Sequence, residues 1–160
     1  MSGSASTIHS VHVLLATDAQ WVVDEVVAAL SGPQTSFTVC RNGRDVTPVV
    51  KARTPDLAIL DLQSGSMGGM AVTMDLRLDE SSGALPYIPV LMLLDRQADV
   101  FLARRSGADG WLVKPLDSLK IEQAVRAILD PPAAPVTPAG TEMSEEITSD
   151  SVEEDAVPAG

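Results

Sequence analysis

The chain has 160 residues, a mass of 16.8 kDa and a formal net charge of −11 at neutral pH. This length supports one folded domain with some residues outside it. An acidic chain lacks the basic face that a phosphate backbone requires, which excludes nucleic acid as a partner. There is no membrane-length apolar run and no signal-peptide pattern, and the one cysteine, Cys40, excludes an internal disulfide. These features predict a cytoplasmic protein without a membrane partner.

Both ends of the chain differ in composition from its middle. Residues 1–10 are small and polar and predict a flexible N-terminal arm. Residues 131–160 contain seven acidic residues and no Lys or Arg, among many Pro, Ala and Ser residues. A segment of this composition cannot bury an apolar core, so we expect a disordered acidic tail and no second domain. The folded domain is predicted to occupy residues 11–130.

Within the middle of the chain, five short apolar runs alternate with five helix-length segments. The apolar runs suit strands that are covered on both faces, and the segments between them repeat apolar residues at helical spacing. In chain order, the predicted elements are strand 11–16, helix 20–30, strand 37–40, helix 44–53, strand 57–60, helix 69–78, strand 88–94, helix 97–106, strand 111–113 and helix 117–129. This order predicts an α/β fold, a doubly wound five-stranded parallel sheet with helices on both faces.

Charged residues follow three of the predicted strands. Asp18 lies just after the first strand, Asp61 ends the run LAIL of the third, and Lys114 follows WLV of the fifth. In open α/β sheets, ligands bind beyond the carboxyl ends of the strands, where these residues would meet. Two carboxylates suit a hard divalent cation, and an ammonium group would offset phosphoryl charge. The pattern therefore predicts a metal and phosphate site around Asp61.

Four segments carry a specific resemblance to a known family. The stretches VLLATDAQ, PDLAILDLQSGSMGGM, IPVLMLLD and SGADGWLVKPLD resemble the receiver domain of two-component response regulators, over residues 11–130. The resemblance implies a flavodoxin-like fold and a phosphorelay partner, either a histidine kinase or a phosphotransfer protein. It also implies Asp61 as phosphoacceptor, Lys114 as the residue that pairs with the phosphoryl group, and Mg²⁺ bound by Asp18, Asp61 and the backbone carbonyl of Gln63. The Lys114–Pro115 bond would be cis.

The sequence departs from the family pattern at positions that matter for signalling. Thr17 replaces one of the two adjacent acids usual after the first strand, which predicts weaker Mg²⁺ binding. Leu94 replaces the hydroxyl residue that contacts the phosphoryl group, and Trp111 replaces the usual Tyr or Phe that moves with it. Asp95 adds negative charge near the expected phosphate. We therefore expect the acceptor to survive and the usual switch, at Leu94 and Trp111, to be degenerate.

These observations leave more than one function open. The first hypothesis is a stand-alone, atypical response regulator that signals by contact with a downstream protein target. The second is a phosphorylation-independent pseudo-receiver that acts as a constitutive adaptor, and either form allows a weak homodimer. A phosphohydrolase would usually need an acid two residues after its nucleophile, where this chain has Gln63, so the sequence disfavours an enzyme.

Overall fold

The computed structural model describes residues 10–65 and 67–131. The expected arm and acidic tail lie, apart from residues 10 and 131, outside the described residues. The strands are β1 (Val11–Ala16), β2 (Thr35–Cys40), β3 (Leu57–Asp61), β4 (Val90–Leu94) and β5 (Gly110–Val113). The helices are α1 (Gln20–Leu30), α2 (Val46–Ala52), α3 (Gly69–Ser81), α4 (Val100–Ser106) and α5 (Ser118–Leu129). The alternation of strands and helices agrees with the prediction.

The strands form one parallel sheet in the order β2-β1-β3-β4-β5. Every residue of β3 and β4 is buried because helices cover both faces of the sheet. The chain winds outward in opposite directions from β1 and β3, so the connections after these two strands diverge and leave a crevice. Asp61 stands at the end of β3, directly beside that crevice. The doubly wound five-stranded sheet is confirmed.

Side chains of β1 alternate between two apolar cores. Val13 and Leu15 pack with buried residues of α1 and α5, whereas Leu14 and Ala16 pack with those of α2 and α3. The same alternation continues in β3, which explains why these strands contain consecutive apolar residues. Burying each such side chain contributes roughly 1.5–3 kcal/mol. The two cores fix β1 and β3 in register, and with them the residues at their carboxyl ends.

Several element boundaries differ from those predicted. The segments predicted as helices 44–53 and 97–106 each begin with one 3₁₀ turn, Gly43–Asp45 and Gln97–Asp99, before α2 and α4. Such a turn is common where the first backbone groups of a helix bond to nearer partners. Some side chains expected on apolar helix faces are instead well exposed, including Trp21 at 49%, Phe101 at 59% and Leu119 at 61%. Helical spacing identified these residues as apolar without showing whether a second element covers them.

A polar cluster, which we call the Arg77 clasp, connects α3 to the segments just before β4 and β5, at the end of the sheet opposite the crevice. It consists of Arg77, Tyr87, Asp109 and the carbonyl oxygens of Ile88 and Gly107. The Arg77 guanidinium donates to those carbonyls at 2.9 and 3.1 Å, pairs with Asp109 at 2.8 Å and stacks on the Tyr87 ring. Tyr87 donates a hydrogen bond to Asp109.

Within the described residues, no helix is long and apolar enough to cross a membrane.

Candidate functional site

Asp61 has a buried carboxylate, and both of its oxygen atoms accept hydrogen bonds. It is the last residue of β3 and is only 1% exposed. Its Oδ1 accepts from Lys114 Nζ at 2.9 Å and from the backbone N–H of Gln63 at 3.3 Å. Its Oδ2 accepts from the Thr17 hydroxyl at 2.8 Å. Burial of a charge at this depth is tolerated because hydrogen bonds and an ammonium group compensate for lost water.

Thr17 has a second role besides the loss of an acid. Its side chain is fully buried at the end of β1, where the hydroxyl donates to Asp61 and accepts from the backbone N–H of Ala19 at 3.1 Å. The hydroxyl therefore links Asp61 to the start of α1. This second role could not be predicted from the sequence, because a threonine after a strand gives no signal that its hydroxyl reaches a residue 44 positions away.

Asp18 and Gln63 line the open side of the crevice. Asp18 is exposed, and its Oδ2 accepts from the backbone N–H of Gly65 at 2.9 Å. Gly65 adopts a left-handed backbone with φ of 51°, which folds the loop after Asp61 back toward Asp18. The loop also approaches the strand closely at Gly68, where a Cβ would lie 2.4 Å from the carbonyl oxygen of Leu62. Asp18 and the loop after Asp61 thus form one rim of the crevice.

The oxygen atoms on this rim are the type that a hard cation prefers. Two carboxylates and one carbonyl are available from Asp18, Asp61 and Gln63, which fits Mg²⁺ with several of its waters retained. In residues 10–65 and 67–131, no group of three or more Asp, Glu, His or Cys side chains could hold a metal ion. The set of donors available to a cation at this rim is therefore poorer in charge than one with a second acid at position 17.

Lys114 is shared between two carboxylates. Its Nζ lies 2.9 Å from Asp61 Oδ1 and 2.9 Å from Asp95 Oδ1, and it stands 5.7 Å from the centre of the Trp21 ring. The side chain is 14% exposed. Burial by itself lowers the pKa of Lys114, but the hydrogen bonds to Asp95 and Asp61 outweigh it and hold the pKa above its ordinary value. Lys114 is therefore positively charged at neutral pH. The peptide bond between Lys114 and Pro115 is cis, as expected.

The two positions of the expected switch are packed rather than polar. Leu94 is fully buried and belongs to an apolar cluster with Met92 and Ala103, against which Trp111 packs. Trp111 is partly buried, and the Arg104 guanidinium lies 5.3 Å from the centre of its ring. At the end of β4, position 94 therefore holds a buried apolar side chain, and position 95 holds a carboxylate that pairs with Lys114.

Two contacts of the site were not foreseen from the sequence. Asp95 was expected to repel phosphate, but its pairing with Lys114 was missed because the two residues are 19 positions apart and follow different strands. Trp21 lies beside Lys114 with half of its surface exposed, a contact that the helical spacing of segment 20–30 did not indicate. Its position as the second residue of α1, just after Asp18, was the available signal that it belongs to the rim.

Comparison with known proteins agrees with this geometry. The chain is 30% identical over 120 residues to the transcriptional regulatory protein CseB of Streptomyces avermitilis, covering 74% of this chain and 48% of CseB. It is 24% identical over 117 residues to protein PilH of Pseudomonas aeruginosa, covering 73% and 96%. The chain thus spans about half the length of CseB and nearly all of PilH.

A solved structure shares the fold. The receiver domain of the sensor histidine kinase PA1611 from Pseudomonas aeruginosa, which has a magnesium ion coordinated in its active site cleft, matches with a TM-score of 0.63 and 18% identity over 75% of this chain and 98% of that one. The family model of the response regulator receiver domain matches residues 13–126. Receiver domains are signalling modules that interact with histidine kinases or phosphotransfer proteins and bind Mg²⁺ in their active sites. This chain belongs to the response regulator receiver domain family.

Proposed function

We propose that this chain is an atypical receiver of a cytoplasmic phosphorelay in which Asp61 is the phosphoacceptor and the output is contact with another protein. The observation that carries the proposal is the Asp61–Lys114 pair, at 2.9 Å, at the carboxyl end of the central strand. A carboxylate oxygen of Asp61 attacks the phosphorus of a phosphohistidine. The P–N bond breaks, its electron pair leaves with the imidazole, and that imidazole takes up a proton.

The residues around Asp61 have distinct parts in this transfer. Lys114 offers ammonium N–H groups to the transferred phosphoryl oxygens, and Thr17 holds the second carboxylate oxygen in place. Asp18, Asp61 and the Gln63 carbonyl would hold Mg²⁺, which when bound offsets phosphoryl charge. Preorganised groups of this kind accelerate transfer because they need not reorganise when charge develops.

A second candidate function is a pseudo-receiver whose binding surface is the same with or without phosphate. The observation in its favour is the end of β4, where Leu94 is fully buried and presents no hydroxyl to the crevice. Lys114 already has a carboxylate partner there in Asp95. Under this hypothesis, the chain is a constitutive adaptor for its protein target.

Incubation with Mg²⁺ and acetyl phosphate, read by intact mass, tests the acceptor. The native chain and Asp75→Asn, which changes an exposed carboxylate on α3, should each gain one phosphoryl group. Asp61→Asn should gain none, because its amide is a poor nucleophile. A gain that persists in Asp61→Asn would place the acceptor elsewhere. No gain in the native chain, with no Mg²⁺-induced amide NMR shifts at Asp18 and Asp61, would favour the pseudo-receiver.

A further inference from the structure

The pairing of Lys114 with Asp95 is a built-in competitor for the contact that a phosphoryl group on Asp61 needs. Both carboxylates lie 2.9 Å from the same Nζ atom. A lysine ammonium has three N–H donors, and a phosphoryl group brings three strong acceptor oxygens and about −1.5 to −2 of charge at neutral pH. Phosphorylation of Asp61 therefore adds acceptors around a cation whose donors are already divided between two partners.

The two carboxylates differ in how easily they can give up Lys114. Asp61 is 1% exposed and anchored at the end of the central strand, so a phosphoryl group on it stays beside Lys114. The Asp95 side chain is 43% exposed, so water can solvate it as soon as the ion pair opens. An exposed ion pair contributes about 1 kcal/mol or less, and a dianionic acceptor at the same cation outweighs it. Asp95 is therefore the partner that leaves.

Release of Asp95 acts on a defined segment of the chain. Asp95 directly follows β4, and the next residue, Arg96, pairs with the buried carboxylate of Asp99 at 2.8 Å. Asp99 ends the 3₁₀ turn Gln97–Asp99 and immediately precedes α4. A change in the position of Asp95 thus reaches the start of α4 through four consecutive residues, without any contribution from the side chain of Leu94.

We propose that Asp95 is a positioning residue for Lys114, and that its release on phosphorylation of Asp61 passes the event to residues 96–101. The inference rests on the proposed phosphoacceptor role of Asp61. It supplies a route to α4 that replaces the hydroxyl contact absent at position 94. The same pairing slows phosphorylation, because Asp95 occupies Lys114 and repels an incoming anionic donor.

The test compares the full native chain with Asp95→Asn and with the charge-matched control Asp75→Asn. Labelling by acetyl phosphate with Mg²⁺ should be roughly fivefold faster in Asp95→Asn than in the native chain, because one negative charge beside the donor is removed and Lys114 is freed. The control should label at the native rate. Asp95→Glu, which keeps the carboxylate, should restore most of the native rate.

Backbone amide NMR supplies the readout that separates release from a simple charge effect. Phosphorylation of the native chain should shift the amides of residues 96–101. Unphosphorylated Asp95→Asn should show shifts of the same residues in the same direction, and phosphorylation should then add little.

Each alternative outcome counts against a particular claim. If the native chain is labelled but Asp95→Asn is labelled at the rate of Asp75→Asn, and phosphorylation still shifts its amides 96–101 as much as in the native chain, Asp95 does not position Lys114 and this inference is overturned alone. If neither the native chain nor Asp95→Asn is labelled, the proposed function fails and the inference falls with it.

Discussion

Replacing Lys114 by Met should destabilise the fold, because it leaves the Asp61 carboxylate buried without its cation. The methionine keeps most of the apolar stem and removes the ammonium. At a separation of 2.9 Å and an effective dielectric of about 20, the attraction is roughly 6 kcal/mol before desolvation is subtracted. Breaking a fully buried pair typically costs about 3–5 kcal/mol. Since the Lys114 side chain is 14% exposed, we expect a loss of about 2–4 kcal/mol in the free energy of unfolding.

The cost should be asymmetric between the two partners. Asp61→Asn leaves Lys114 with Asp95 and some water, so it should cost about 1 kcal/mol or less. The double variant Lys114→Met/Asp61→Asn has no buried charge left unpaired. It should therefore recover about 2 kcal/mol relative to Lys114→Met alone, a coupling energy of the size found between contacting residues.

Urea denaturation followed by circular dichroism measures these differences, provided that the slope of the transition is the same in all variants. Lys51→Met is the matched control, because Lys51 forms only a surface pair with Asp79 at 3.5 Å and should change stability by less than about 1 kcal/mol. The reasoning would be refuted if Lys114→Met were no less stable than Lys51→Met, or if adding Asp61→Asn recovered nothing.

Three further predictions concern other parts of the fold. Arg77→Ala removes the centre of the Arg77 clasp and should cost about 2–3 kcal/mol, measured by urea denaturation against the surface control Arg105→Ala. Tyr87, the single tyrosine, should ionise near pH 12, because burial and its hydrogen bond to the clasp carboxylate raise its pKa to about 12; ionisation near pH 10 by ultraviolet absorbance would contradict this. Gly68→Ala should cost at least about 1–3 kcal/mol, because its Cβ would lie 2.4 Å from a backbone carbonyl; an unchanged urea midpoint would count against that contact.

The pH dependence of stability should include a contribution from His12. Burial first, and the charge of Arg53 second, lower the pKa of His12 below 6.5, and its buried Nδ1 has no hydrogen-bond partner among the residues that the structure describes. The unfolded chain therefore binds the proton more readily, so this contribution is fully present above pH 6.5 and is lost as the pH falls below it. Urea midpoints measured across this range should fall more steeply for the native chain than for His12→Gln. Parallel curves would exclude the contribution.

The order of elements could be read from the sequence because burial on both faces forces consecutive apolar residues into the strands. Val11–Ala16 and Gln20–Leu30 have the predicted bounds; polar residues flank the strand on both sides, and Ser31 follows the helix. Boundaries were less accurate where a 3₁₀ turn precedes a helix, as before α2 and α4, because backbone hydrogen bonding there leaves no apolar pattern. Which apolar residues stay exposed, such as Phe101, depends on packing between elements that spacing does not encode.

The site was predictable to the extent that topology alone determines it. Parallel strands bring their carboxyl ends together, so Asp61, Asp18 and Lys114 could be assigned to one edge before any coordinates. The hydrogen bond from Thr17 to Asp61 and the pairing of Lys114 with Asp95 could not, because each depends on a side-chain direction at the strand ends. Charge counting indicated a negative charge at Asp95 near Asp61, but it did not reveal that Asp95 pairs with Lys114.

The two hypotheses, a receiver that responds to phosphorylation and a constitutive pseudo-receiver, require different strengths of the Lys114–Asp95 ion pair. If Asp95 held Lys114 with several kcal/mol, the chain would resist phosphorylation and its surface would be fixed. Moving such an equilibrium from about 1:99 to 99:1 takes roughly 5.5 kcal/mol of differential binding. The Asp95 side chain is 43% exposed, and exposed ion pairs contribute about 1 kcal/mol or less. A phosphoryl group on the buried Asp61 would therefore bind Lys114 more strongly than Asp95 does. The exposure of Asp95 therefore supports the proposal that this receiver responds to phosphate despite the leucine at position 94.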